Sequence, residues 1–356
     1  MYKYNFKKYE NTDKFRQAAI HFQTHGYYTS APRGTTAYRE YWDEEISRSL
    51  YGYTTPDGEF ISGYNYFYLN YCQIILIEKR KVLNPRTGTF DIKELRVPNF
   101  PRFYDFDKMF FDTVEECERL GKHLAVLKAR RKGYSFKIAA MLCRNFFLIP
   151  NSKGFALASN SEYLVRDGIL SKAWDIMSFI DENTAWSKKR QAKNSNMHKR
   201  ASLIVDRGDG VKTEIGYKSE IIGVSLGGDY NAARGKSGKL MIFEEAGNFP
   251  NLKTAWQIAR PSVEQGSSVH GLMIAFGTGG TEHSNFEGLK DLFYEPDGYN
   301  CLPIENVWEE GATSPCGFFV PDTAHFEGEH DGKEFIDDQG NSLFHECKTY
   351  MLEQRK

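Results

Sequence analysis

Nothing in this chain of 356 residues approaches the roughly eighteen consecutive apolar residues of a membrane span. Its opening, Met1-Tyr-Lys-Tyr-Asn-Phe-Lys-Lys8, lacks the apolar core of a secretory signal. Paired cysteines are missing too. The six present (Cys72, Cys117, Cys143, Cys301, Cys316 and Cys347) are scattered, with no C-x-x-C. That argues against a disulfide framework and a zinc site, and suits a reducing compartment. The expected setting is the cytoplasm. A formal net charge of −1 excludes a uniformly basic nucleic-acid coat, so any DNA contact must come from a local patch. No H-E-x-x-H marks a zinc protease, and no segment repeats.

What is present is an ordinary water-soluble composition, 40% hydrophobic and 26% charged. The length suffices for one large domain or two modest ones. Residues 1–100 form an N-terminal part that is polar and aromatic, with a helix expected around Tyr38–Leu50. Gly63–Ile77, rich in aromatic and β-branched residues, reads as one or two strands. Asn84-Pro-Arg-Thr-Gly88 is a turn, and Pro98–Asp107 leads into a helix ending near Gly121.

From about 101 to 285 short apolar strands alternate with helical patterns. Strands are expected at His123–Lys128, Gly154–Ser159, Ala201–Val205, Ile215–Val224, Leu240–Phe243 and Gly271–Phe276. Helices are expected at Ser135–Phe147, Ser161–Ile180 and Leu252–Ile258. This alternation predicts an α/β fold, a mostly parallel sheet with helices on both faces. Residues 286–356 are Gly-, Pro- and Asp-rich, with a last helix from Ser342.

Three stretches carry chemistry. The first, Lys128-Ala-Arg-Arg-Lys-Gly-Tyr-Ser135, joins a strand to a helix through a basic turn. That is how a phosphate-binding loop is built, because backbone N–H groups and a helix N-terminus present positive charge to an anion. The usual G-x-x-x-x-G-K-[ST] fails at two places: Lys128 replaces the first glycine and Tyr134 the lysine. Taken alone, the loop reads equally well as an ordinary basic turn. The second, Lys239-Leu-Met-Ile-Phe-Glu-Glu245, is an apolar strand ending in two carboxylates, one to hold Mg²⁺ and one to polarise a water. Its bland alternative is a surface strand end with two solvated acids. The third, Ile274-Ala-Phe-Gly-Thr-Gly-Gly-Thr281, is a strand ending in a small polar loop, or simply a glycine turn. Arg234-Gly-Lys-Ser-Gly238 contains the letters G-K-S but precedes a strand where a phosphate loop opens into a helix. It is rejected as that loop.

In this order the motifs resemble the ATPase domain of the large terminase subunit of tailed double-stranded DNA phages, a P-loop NTPase of the RecA-like (ASCE) kind. The loop is similar to the deviant form K-x-x-R-x-G-Y-S of the lambda-type branch, matching at Lys128, Arg131, Gly133, Tyr134 and Ser135. The resemblance covers roughly residues 60–345. It implies that residues 128–135 (Lys128, Ala129, Arg130, Arg131, Lys132, Gly133, Tyr134, Ser135) hold ATP, with Lys128 on the phosphates and Arg131 neutralising transition-state charge. It implies Mg²⁺ at Ser135 and Glu244, a water positioned by Glu245, and coupling through Thr278 and Gly279. Arg234, in an Ala-Arg-Gly context, matches an arginine that reaches a neighbouring subunit's site.

Glu244 stands where aspartate is usual, and Phe103-Tyr-Asp-Phe106 lacks the glutamine that often reads adenine in this family. The tail lacks the length and strand pattern of the family's nuclease domain, so that domain is expected to be truncated or encoded separately. The implied function is Mg²⁺-dependent ATP hydrolysis driving translocation of double-stranded DNA into the procapsid. The implied partners are portal protein, small terminase subunit and further copies in a homo-oligomeric ring, in the host cytoplasm and with no membrane. The alternatives are a helicase-like P-loop ATPase, or a degenerate P-loop module that binds nucleotide or DNA without turnover. The basic run Lys188–Arg200 is either a DNA contact or a solvated face.

Overall fold

Short apolar runs bounded by polar turns assemble into one eight-stranded sheet. In the computed structural model, residues 1–206, 208, 210–227, 229–235, 237–279 and 286–355 are described. The sheet's strands are, in chain order, β1 (Leu124–Lys128), β2 (Lys153–Ala158), β3 (Lys193–Asn194), β4 (His198–Arg200), β5 (Glu220–Ser225), β6 (Leu240–Glu244), β7 (Leu272–Thr278) and β8 (Phe318–Val320). They lie in the order β8-β1-β7-β6-β2-β5-β4-β3. From β8 to β5 every pairing is parallel. Only the β4 and β3 edge runs antiparallel.

Alternation along each strand decides which face a residue serves. Leu124, Val126, Ile242 and Ile274 point to one buried cluster, whereas Ala125, Met241, Phe243 and Met273 point to the other. The first face is covered by α1 (Asp105–Leu120), α2 (Tyr134–Leu148) and α3 (Ile169–Asn183), the second by α4 (Leu252–Ala259) and α5 (Glu287–Tyr294). A sheet buried on both faces needs near-continuous apolar strands, and Leu240–Glu244 is buried throughout. The expected α/β architecture is therefore what the chain adopts.

The aromatic N-terminal residues pack onto the outer side of α2 and α3, so that Phe67, Trp42 and Trp186 share a cluster with Ile138 and Leu142. Arg144 on α2 donates to the carbonyls of Ser49 and Leu50 at 2.7 and 2.8 Å, ending the Thr36–Tyr51 helix. Cations suit the carbonyl end of a helix, where the last acceptors lack partners. The C-terminal segment returns to lay β8 beside β1.

Three expected elements are corrected. Gly63–Tyr71 is a helix, capped by Ser62, whose hydroxyl accepts from the Asn65 N–H at 3.4 Å; the strand starts only at Ile74. All nine helical residues are buried, so the helix has no polar face and leaves no 3.6-residue signature to read. The expected Ser161–Ile180 helix is broken at Gly168, where a Cβ would come within 1.8 Å of the Tyr163 carbonyl oxygen. The expected Ile215–Val224 strand is interrupted at residues 216–219. Leu203–Asp206 pairs with Lys212–Ile215, and β5 is a separate strand of the main sheet.

Ile74–Leu83 and Phe90–Asn99 form a second hairpin, turning through residues 84–89. Ile77, Phe90 and Ile92 on it stand largely exposed.

Candidate functional site

β1, β7 and β6 end side by side, and their parallel register sets Thr278 opposite Lys128 and Glu244 opposite Phe276. The carboxyl ends of parallel strands are where α/β sheets bind ligands, because the loops that follow open there. The chain leaves β1 at Lys128, turns, and enters α2 at Tyr134. Two left-handed residues make the turn, Arg131 at φ 60° and Gly133 at φ 68°. No side chain caps α2. Among the described residues no acceptor meets the backbone N–H of Gly133, Tyr134 or Ser135. These donors, at a helix N-terminus, form an anion-binding edge.

Lys128 is 8% exposed, its ammonium 5.9 Å from the centre of the Phe276 ring. It makes no hydrogen bond or ion pair among the described residues. Burial pushes its pKa down, while the nearby charges of Glu245 and Glu244 oppose that shift. Such a cation, dry and held by no fixed partner, is poised for an anion. Arg130 and Arg131 are exposed in the turn.

Two loop side chains turn away from this edge. Tyr134, in the place of the usual lysine, is a core residue packed on Phe110 with ring centroids 4.8 Å apart. Lys132 is buried and donates to the carbonyls of Asp322 and Ala324 at 2.7 and 2.8 Å. Both offer a phosphate their backbone, with the side chains engaged elsewhere. Ala129 is tied to β8, its N–H donating to the Val320 carbonyl at 2.9 Å.

The Ser135 hydroxyl reaches Oε1 of Glu244 at 3.1 Å, and Oε2 of the same carboxyl accepts the Ile169 N–H at 3.1 Å. Burial pushes the Glu244 carboxyl up to about 8, against these two hydrogen bonds. A hydroxyl and a carboxylate are hard oxygen donors, the set Mg²⁺ takes alongside phosphates and water. Among the described residues no three His, Cys, Asp or Glu side chains gather as a metal cage, and a cation held largely by phosphate and water needs none.

Glu245 has a left-handed backbone, φ 49° and ψ 51°. Such a conformation costs a side-chain-bearing residue about 1–2 kcal/mol and concentrates at functional sites. It turns the chain out of the sheet directly after Glu244. β7 is fitted to this turn, since a Cβ on Gly277 would lie 2.9 Å from the Gly247 nitrogen. Thr278 and Gly279 follow at once. Gly280 and Thr281 lie outside the described residues.

Arg234 is exposed and follows the short helical turn Tyr230–Ala233. With Thr254, Gln257 and Pro261 it lines a hollow of about 570 Å³ beside α4. It makes no side-chain hydrogen bond or ion pair among the described residues. The basic segment 188–200 is largely occupied within the chain. Arg190 pairs with Asp181, Arg200 with Glu214 and Glu220, and Lys199 covers the Trp174 ring at 4.8 Å. Tyr104, in the aromatic segment before α1, bonds Glu327 and stacks on His325.

Two letter patterns escape the sequence reading. His21 and His25, four residues apart, stack at 4.3 Å on the Gln17–His25 helix without a gathered third ligand. Gly223-Val-Ser-Leu-Gly227 spells G-x-S-x-G, but Ser225 ends β5 without a positive φ and no histidine bonds it among the described residues. A nucleophile elbow needs a strained strand-to-helix turn and a base. More telling is Lys137, buried beneath the loop with Asp107 at 2.9 Å. Neither residue belongs to a motif.

No family model matches the chain, and no curated protein does. Among solved structures it is similar to the large terminase ATPase domain of Thermus phage P74-26, at 13% identity and TM-score 0.37, over 65% of this chain and 81% of that one. It is also similar to the HK97 bacteriophage large terminase, at 16% identity and TM-score 0.42. That overlap covers 69% of this chain and 43% of the HK97 protein.

Proposed function

We propose that this chain is a Mg²⁺-dependent ATPase of the large-terminase kind, which couples hydrolysis to movement of double-stranded DNA. The observation that carries the reading is the meeting of Ser135 and Glu244 at 3.1 Å. It joins the first turn of α2, where the N–H groups of 133–135 are free among the described residues, to the tip of β6, where Glu245 follows Glu244.

In this mechanism the N–H groups of residues 130–135 and the Lys128 ammonium bind the phosphates of ATP. Ser135 and Glu244 hold Mg²⁺, which supplies charge neutralisation at the phosphates. Glu245 orients the attacking water and takes up its proton. Arg131, exposed in the turn, offsets charge that grows on the transferred phosphate. Thr278 and Gly279 carry the change to β7 and the turn it is packed on.

Arg234 lies beside α4 and acts on the site of an adjacent copy in a ring. The ring works on a portal with a small subunit, in the host cytoplasm and at the procapsid. Among the described residues no helix is long and apolar enough to cross a membrane.

The test is phosphate release from ATP by the purified protein, with Mg²⁺ or with a chelator, and with or without linear double-stranded DNA. Mg²⁺-dependent release that DNA stimulates is expected. A protein that binds no ATP with Mg²⁺ present overturns the reading.

A further inference from the structure

Beneath the loop lies a buried ionic cluster that no step above uses. Lys137, one turn into α2, is 2% exposed. Its ammonium donates to the Lys132 carbonyl at 2.6 Å and lies 2.9 Å from Oδ1 of Asp107 on α1. Nε2 of His325 approaches the same carboxylate oxygen at 3.2 Å. Both contacts at Oδ1 are close but off the hydrogen-bond angle, and the one from Lys137 is an ion pair. Burying an ammonium and a carboxylate costs several kcal/mol per ion before pairing offsets it, and apolar side chains of similar size would fill the space as well.

We infer that Lys137 is a positioning residue for the phosphate loop, held on station by Asp107, and that it sets which way the Lys132–Gly133 peptide faces. This rests on the nucleotide-site reading of residues 128–135.

The peptide is planar and trans, so its C=O and N–H point in opposite directions. Lys137 draws the Lys132 carbonyl inward, which turns the Gly133 N–H outward to the anion edge. The flanking residues do not fix this by themselves. Arg131 and Gly133 both have left-handed backbones, and glycine exchanges readily among conformations. The fit at Gly133 is close, since a Cβ there would stand 3.3 Å from the Lys137 ammonium. Lys132 is thus gripped twice. Its carbonyl is held by Lys137, and its own ammonium by the Asp322 and Ala324 carbonyls. His325 joins the two grips through Asp107.

The test compares Lys137→Met, Asp107→Asn and the double variant, each measured for thermal midpoint and for affinity toward a nonhydrolysable ATP analogue with Mg²⁺. Lys137→Met is expected to lose affinity roughly 10- to 100-fold, the scale of one hydrogen bond to a charged group. It also leaves Asp107 without its nearest cation, so it lowers the midpoint. The double variant removes both charges and recovers midpoint without recovering affinity. If affinity returns with the midpoint, the cluster is a stability device only and the inference fails. If Lys137→Met binds the analogue as tightly as wild type while Lys128→Ala does not, the inference fails and the nucleotide site stands. If wild type binds no analogue, both fail.

Discussion

The Ser135 hydroxyl donates to Oε1 of Glu244 across 3.1 Å, although the two residues come from separate strand–loop units. β7 lies between their strands, and the junction also fixes Thr278, directly opposite Lys128.

Glu245→Gln removes the proton acceptor and keeps the shape. Turnover is expected to fall about 10²- to 10⁴-fold, with ATP affinity retained. Steady-state hydrolysis beside equilibrium binding measures this, and unchanged turnover removes Glu245 from the catalytic role.

The two buried loop lysines separate function from architecture. Lys128→Ala is expected to weaken nucleotide binding at least tenfold, about the value of a charged hydrogen bond. Lys132→Ala strips two carbonyls of their donor and is expected to cost about 1–3 kcal/mol of stability, with the smaller effect on binding. Equal binding losses in the two variants would mean that the loop does not use Lys128 in the lysine role.

Arg234→Ala is expected to reduce turnover on the order of 10³-fold, as loss of a trans-acting arginine does. A Glu245→Gln partner still carries the arginine, so mixing the two inactive proteins restores hydrolysis at intermediate ratios. Absence of recovery at every ratio assigns Arg234 to its own protomer or to folding.

His123 gives the fold a pH dependence. Its Nε2 bonds Glu264 at 2.7 Å, its Nδ1 accepts the Met273 N–H at 3.3 Å, and burial pushes the imidazole down to about 4 despite the attraction of Glu264. An unfolded histidine titrates near ~6.5. Below that value the unfolded chain takes up a proton that the folded one refuses. This stabilising contribution is therefore complete above pH ~6.5 and drains away as pH falls toward 4, by about 3 kcal/mol in all. His123→Asn should flatten the fall of thermal midpoint across that window. An unaltered profile would show that the ring is not held neutral.

The main sheet was legible because it is built from local signals. Leu240–Glu244 is apolar to its tip, and Gly133 marks the passage from β1 into α2. Gly63–Tyr71 was misread as strand because a helix buried on every side has no amphipathic stripe, and its tyrosines and phenylalanine favour strands in isolation. The Ser135–Glu244 pairing was legible only through motif order. The Lys137–Asp107–His325 cluster was not legible, since its members belong to α1, α2 and the C-terminal segment, and only the folded chain brings them together. Nor does a sequence show that Lys132 engages the Asp322 and Ala324 carbonyls while the equally buried Lys128 ammonium has no hydrogen-bond partner among the described residues.

The left-handed backbone of Glu245 has a practical corollary for anyone improving this protein. Glycine at 245 would relieve the twist, so a screen that scores heat resistance alone will tend to collect Glu245→Gly. Each such isolate would be a better-behaved protein without the carboxylate proposed to activate water. Sturdiness and work are set against each other at one residue, and a selection here must assay both.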